Sequence, residues 1–349
     1  MSSLEEYIEN LNHAEEAERI YAAEDIGYWN TAEGVRPLLQ RLAKESSRAV
    51  RDSIFQSLVR IEADSAIEGA IELLKSDDPQ IRNEAVEVLR HKGAQSVPFL
   101  NEVMRDGDKN IRKLVLDALT GIRASDATEI YAAALTDKDI NVVITAVENL
   151  GRMRAVEFKS QIEGLLQADT NPMLMAACME ALVGIGDGSS LVAVRRCFAE
   201  LADVPDYLLS SCLKAFAALG AAKDFAEVAN LLPLRAPHLR PAILDALTAI
   251  HPRCELPDAS ESLLPAVKAI IEDGDPSLCR YQAVRLLGLW AAHADVNAFL
   301  VSCLSNPERL VRLGAAESLR ITGRPGFELA LAERALKETD EEVLEALTC

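Results

Sequence analysis

A short frame that returns about every 32 residues along almost the whole chain leaves few folds open to it. In DPQIRNEAVEVLRHKG, residues 78–93, an acid is followed three residues later by an aliphatic anchor, Ile81, and then by Arg82. Apolar Ala85 and Leu89 stand four and eight places beyond the anchor. The frame recurs with anchors at Val50, Ile111, Val142, Leu174, Leu208, Leu239, Cys279 and Val311, and in weaker copies around Glu18 and Val343. Successive anchors are 32, 31, 30, 31, 32, 34, 31, 40, 32 and 32 residues apart. Self-similarity at such a period marks an array of one supersecondary unit.

Within each period the anchor and the +4, +5 and +8 positions make an apolar stripe of helical spacing. Asp78, Asp108, Asp139 and Asn171 stand at N-cap positions, and Pro79 and Pro172 at the first helical residue. Gly93, Gly151, Gly186, Gly220 and Gly323 fall just past the stripe, where a left-handed C-cap is expected. A second, shorter apolar helix is predicted at 66–75, 96–105, 158–167 and 297–305. No alternating β-branched run competes. A helix pair this small cannot bury both apolar faces alone, so neighbours must stack into an all-α solenoid with a continuous core.

The D-x-x-[aliphatic]-R-x-x-[small]-x-x-x-L pattern resembles HEAT repeats, in particular the short bacterial kind associated with phycobilisome lyases. The resemblance implies a right-handed α-α superhelix of about ten to eleven two-helix repeats, continuous over 1–349. The 40-residue interval inserts HPRCELPDASE, whose Pro252 and Pro257 exclude regular helix, so a hinge or irregular insertion is predicted at 251–261. The resemblance also implies a structural ladder in which the frame arginines, Arg19, Arg51, Arg82, Arg112, Arg240, Arg280 and Arg312, satisfy carboxylates and helix-end carbonyls. Three consecutive repeats break it, with Val143, Met175 and Leu209 in the arginine's place. Beside two of these, Met173 and Tyr207 replace the polar Gln80, Asn110 and Asn141 of earlier repeats. Val143, Met173, Met175, Tyr207 and Leu209 therefore either pack the centre more tightly or offer a strip to a partner helix or peptide.

Charge narrows the partners. A formal net charge of −19 repels phosphate backbones and anionic lipid, so neither nucleic acid nor a membrane is expected. Residues 1–34 hold nine acids against Arg19 alone, which suits a polar terminal repeat and excludes the basic region of a signal peptide. A cytoplasmic protein is expected. The seven cysteines lie between Cys178 and Cys349 without a CxxC pair, so reduced thiols are expected, Cys178 and Cys212 as small core residues. The five histidines are scattered, with no spacing that would hold a metal. The His-Glu dipeptides with which one HEAT-repeat enzyme family, deoxyhypusine hydroxylase, holds iron are missing. The cationic groove of HEAT-like DNA glycosylases conflicts with the charge.

Neither cofactor nor metal nor catalysis is therefore expected. The expected function is a non-catalytic scaffold or adaptor presenting an extended surface to proteins, with basic or amphipathic segments favoured by the field. The alternative that the resemblance implies is a bilin lyase or isomerase subunit acting on phycobiliproteins. An adaptor in a bacterial signalling array is a third.

Overall fold

The computed structural model describes residues 3–120, 122, 125–198, 200–251, 263–272, 275–291, 293–321 and 327–348. Polar caps start the frame helices where the sequence places them. Asp78 accepts from the Gln80 N–H at 2.9 Å, Asp108 from Asn110 and Ile111 at 2.7 and 3.1 Å, and Asn171 from Met173 and Leu174 at 3.0 and 3.2 Å. Each such bond satisfies an N–H that the first helical turn leaves without an intrahelical acceptor, which stabilises the helix by about 1 kcal/mol.

The chain divides into two compact units, Met1–Phe158 and Lys159–Cys349. In the first, the frame helices are Glu16–Trp29, Arg48–Arg60, Pro79–Lys92, Lys109–Leu119 and Ile140–Met153. They alternate with shorter helices at Leu4–Asn10, Val35–Leu42, Asp64–Leu73, Val97–Asp106 and Ser125–Ala134. In the second, the frame helices are Pro172–Ile185, Asp206–Leu219, Arg240–Ile250, Ser277–Gly288, Arg309–Ile321 and Glu341–Thr348. Their shorter partners are Lys159–Ala168, Ser190–Cys197, Ala222–Ala229, Leu263–Glu272, Ala294–Cys303 and Glu328–Ala335.

Within each unit every frame helix packs on the next frame helix, and every short helix packs on the frame helix that follows it. This is the two-layered α-α solenoid that the period requires, and the described residues contain no strand. The stripe is the core. Val50, Ile54 and Leu58 are fully buried, as are Cys178 and Leu182. Each large aliphatic so buried contributes about 1.5–3 kcal/mol relative to exposure.

Close approach of frame helices is built by a glycine opposite a serine. The Ser57 hydroxyl donates to the Ala23 carbonyl at 2.7 Å, and a Cβ on Gly27 would lie 2.6 Å from that hydroxyl oxygen. Gly288 and Ser318 repeat the arrangement in the second unit, with 2.5 Å left for a Cβ.

The glycine C-caps follow expectation only in part. Gly93 caps its helix at φ 60° and ψ −137°, a positive-φ conformation open to glycine but not the left-handed helical one. Gly151 lies inside its helix, and Arg154 takes the left-handed cap at φ 54°. Gly186 and Gly220 are extended, at φ −80° and −67°; a Cβ there would stand 2.6 and 2.5 Å from the carbonyl oxygens of Leu182 and Phe216. The predicted hinge at 251–261 lies, His251 apart, outside the described residues, as do Gly323, Cys254 and Cys349.

Candidate protein-binding surface

The ladder arginines sit at the N-terminal turns of the frame helices and draw on two kinds of acceptor, not all on both: carbonyls of the turn that leads into the helix, and a carboxylate 25–27 residues on, or 35 on at Arg240. Arg19 donates to the His13 and Ala14 carbonyls at 3.0 Å and to Glu45 at 2.9 and 3.3 Å. Arg112 donates to the Gly107 carbonyl at 2.6 Å and forks onto Asp137 at 2.7 and 2.8 Å. Arg312 donates to Asn306 and Pro307 carbonyls and forks onto Glu338 at 2.8 and 3.0 Å. Arg51 reaches Asp78 at 3.0 Å, Arg240 pairs with Asp275, and Arg82 caps the Ser76 and Asp77 carbonyls at 2.7 and 3.1 Å. Arg280 occupies the same register, partly buried.

Glu45 and Glu338 are twin clamps. Each has a fully buried carboxylate held by its ladder arginine and by a second arginine one helical turn back, Arg41 at 2.6 Å and Arg334 at 2.7 Å. Burial alone would raise the Glu45 carboxyl, but Arg19, the Ser47 N–H and Arg41 outweigh it and hold its pKa at about 2. The Arg312 guanidinium holds Glu338 well below the usual carboxylate range, with Arg334 adding to it. Burial likewise opposes Arg112 at Asp137, and the guanidinium with the Asp139 N–H prevails, so that carboxyl too is lowered.

The break in the ladder divides into core and surface. Val143, Met175 and Leu209 are buried, at 4, 9 and 0 % exposure, so these three side chains belong to the packing. Of the five strip residues, only Met173 and Tyr207 reach solvent, at 67 and 70 %. At the Leu209 repeat the missing guanidinium comes from Arg235, a residue outside the frame. It donates to the carbonyls of Ala202 and Val204 at 2.7 Å and Leu201 at 3.2 Å, and to the Asp206 carboxylate at 2.6 Å. Arg235 stands 26 residues after Leu209, the spacing that separates Arg19 from Glu45 and Arg312 from Glu338. The rung keeps its capping function with the two positions exchanged.

Met173 and Tyr207 are each the second residue of their frame helix. The same position in the next repeats of this unit holds exposed His238 in the 3-10 turn entering its helix, Leu278 at 60 % exposure, and half-buried Leu310. In the first unit it holds Ala49, Gln80, Asn110 and Asn141, all exposed. Consecutive packed helices lie about 8–10 Å apart. The second unit thus presents apolar side chains at one register in four of its six frame helices, with His238 between Tyr207 and Leu278 and Glu342 at the last. A row of this kind differs from the scattered single apolar residues of any surface. Leu278 and Leu310, which the predicted strip does not include, occupy the same place relative to their anchors.

The first unit holds an open groove of about 1210 Å³ lined by Ile71, Phe99, Val103 and Leu114 together with Glu68 and Glu102. Reactive chemistry is sparse. Cys178, Cys197, Cys212, Cys279 and Cys303 are free thiols, and burial pushes Cys178 and Cys212 up to about 12. Cys197 donates to the Leu166 carbonyl at 3.2 Å. Among the described residues no group of three or more His, Cys, Asp or Glu side chains is arranged to hold a metal ion. None of their helices is long and apolar enough to cross a membrane.

Comparison with known proteins agrees with this architecture. A search of curated proteins finds no sequence match. Among solved structures, importin beta superposes over 99 % of this chain and 58 % of its own, at 13 % identity and a TM-score of 0.62. Kap121p superposes over 99 % of this chain and 44 % of its own, at 16 % identity and a TM-score of 0.56. Kap121p bound to Nup53p gives 15 % identity and a TM-score of 0.56. The chain thus spans about half the length of these karyopherins, and at such identity the likeness concerns the fold. The family model of HEAT repeats matches residues 4–90, 67–148, 96–183 and 263–348, and the chain belongs to the HEAT-repeat family.

Proposed function

We propose that this chain is a non-catalytic scaffold or adaptor that binds an amphipathic segment of another protein along the apolar row of its second unit. The observation that carries the proposal is the exposure of Met173, Tyr207 and Leu278 at one register, on the first, second and fourth frame helices of the second unit. Met173 and Tyr207, on neighbouring helices about 8–10 Å apart, match apolar residues two turns apart on a helix, or three apart on an extended chain. Methionine adds adaptability, and tyrosine a rigid, low-entropy contact. Kap121p, of similar fold, is seen bound to Nup53p and to the extreme C-terminus of Cdc14p. Five free cysteines fit a reducing cytoplasm. The roughly 32-residue period fits the short, phycobilisome-lyase-like kind of HEAT repeat.

The test is affinity capture from native extract with the wild-type chain and with Met173→Ser/Tyr207→Ser/Leu278→Ser. All three side chains are mostly exposed, so the variant is expected to melt like the wild type while losing a partner that the wild type retains. If the variant is folded and captures the same proteins in the same amounts, the apolar row is not the binding surface.

A further inference from the structure

A second surface, in the first unit, has a different chemistry. The frame helix Glu16–Trp29 buries Ala22, Ala23, Ile26 and Gly27 against its neighbours. On another face, Glu18, Tyr21, Asp25 and Tyr28 follow one another at helical spacings of three, four and three residues, so carboxylate and phenol alternate along one stripe. Tyr21 and Tyr28 are 60 and 70 % exposed, in a chain with only six tyrosines. Trp29 is 46 % exposed and held edge-on against Tyr7, with ring centroids 6.1 Å apart.

Two observations indicate what this stripe accepts. The Arg60 guanidinium lies over the Tyr28 ring, 4.4 Å from its centroid, so one face of this ring already accepts a cation within the chain and the ring suits such a contact. Glu15, Glu16 and Glu18 are exposed at the start of the same helix, and Glu5, Glu6 and Glu9 on the helix packed against it. The one basic residue among the first 34, Arg19, is fully occupied by Glu45 and by the His13 and Ala14 carbonyls. The carboxylates therefore receive no counter-charge from their own repeat.

From this we infer that the Glu18–Tyr21–Asp25–Tyr28 stripe is a docking site for an arginine-rich segment of a partner protein. A guanidinium stacks on a phenol ring and forks onto a carboxylate with the same planar group, which a lysine ammonium does not. Side chains three or four apart on a helix lie about 5–6 Å from one another, so one guanidinium can meet a ring and a carboxylate together. The site is separate from the apolar row of the second unit and stands or falls without it.

The test is fluorescence anisotropy with the full chain and two labelled probes, (Arg-Ser-Gly)4 and (Lys-Ser-Gly)4. The arginine probe is expected to bind more tightly than the lysine probe. Tyr21→Leu/Tyr28→Leu, which keeps apolar bulk and removes the rings, is expected to weaken the arginine probe about tenfold. Glu18→Gln/Asp25→Asn should weaken it several-fold. Glu328→Gln/Glu333→Gln, exposed acids of the second unit, makes the same change in net charge and should leave it within twofold. Met173→Ser/Tyr207→Ser/Leu278→Ser should bind the probe like the wild type, so this site and the apolar row fail separately. Equal weakening by the two acid variants would reduce the attraction to the general field of a −19 chain and overturn the assignment. Retention of affinity within twofold by the tyrosine variant, or equal binding of the two probes, would overturn it as well.

Discussion

Replacing Glu45 by glutamine removes one charge from a site where two guanidinium groups converge. The Glu45 side chain has no exposure, Arg19 and Arg41 approach it at 2.9 and 2.6 Å, and the Ser47 N–H donates to it at 2.8 Å. Glutamine keeps the shape and an acceptor for Ser47, but leaves two half-buried cations facing each other without a counter-charge. Lowering the carboxyl from 4.5 to about 2 corresponds to about 3 kcal/mol of differential stabilisation, the same order as breaking a buried pair from one side. The sign is set by the direction of the shift. A carboxylate with a depressed pKa in the folded state contributes fully above its unfolded value and loses that contribution as pH falls through the folded value. The gap between wild type and Glu45→Gln should therefore be about 3 kcal/mol at pH 7, begin to shrink near pH 4.5 and close toward pH 2.

Repeat arrays open in pieces, so a single global midpoint would blur the effect. Hydrogen–deuterium exchange read on peptides covering 35–60 isolates it, because the Glu45 clamp ties Val35–Leu42 to the turn entering Arg48–Arg60. A loss below about 1 kcal/mol at pH 7, or a gap that stays constant down to pH 2.5, would refute the assignment of the stabilisation to ionised Glu45. Arg19→Met/Arg41→Met/Glu45→Leu provides the complementary measurement. Removal of all three charges is expected to cost less than Glu45→Gln, since the desolvation cost disappears with the pairing and what is lost is the partners of the His13 and Ala14 carbonyls and of the Ser47 N–H.

The exchanged rung gives a second prediction. Arg235→Met should free the Leu201, Ala202 and Val204 carbonyls and cost about 2–4 kcal/mol locally, seen as faster exchange over 201–219, and Arg235→Lys should recover little because one ammonium cannot span those acceptors. Leu209→Glu, at a fully buried position, should lower the melting temperature steeply, whereas the exposed Tyr207→Glu should not. Titration with a thiol reagent at pH 8 should leave Cys178 and Cys212 unmodified until denaturant is added, since burial both shields them and pushes their thiols up to about 12; modification of either in the folded protein would contradict that burial.

What was legible in the sequence is what the period controls, and what was not depends on neighbours one repeat away. Anchor, cap and stripe are local, so Asp78, Ile81, Ala85 and Leu89 announce a helix and its buried face without further information. An arginine missing from the frame is ambiguous by contrast, because an empty corner can be filled from the next repeat or left to solvent. At Leu209 it is filled: the helix entry still needs its carbonyls capped, and Arg235 supplies the donors from the position where Arg19 and Arg312 find their acids. The physical requirement persists through the repeats while the residue meeting it moves, so a frame defined by residue type reads the exchange as a gap. The same reasoning sharpens the candidate surface. Once Val143, Met175 and Leu209 are accounted for by burial, the apolar character of Met173, Tyr207 and Leu278 has no structural demand behind it. The second residue of a frame helix is satisfied by Gln80, Asn110 and Asn141 in the first unit, and an exposed apolar side chain there gains nothing for the fold. Side chains that return no packing within the chain are the ones we propose to pack against another molecule.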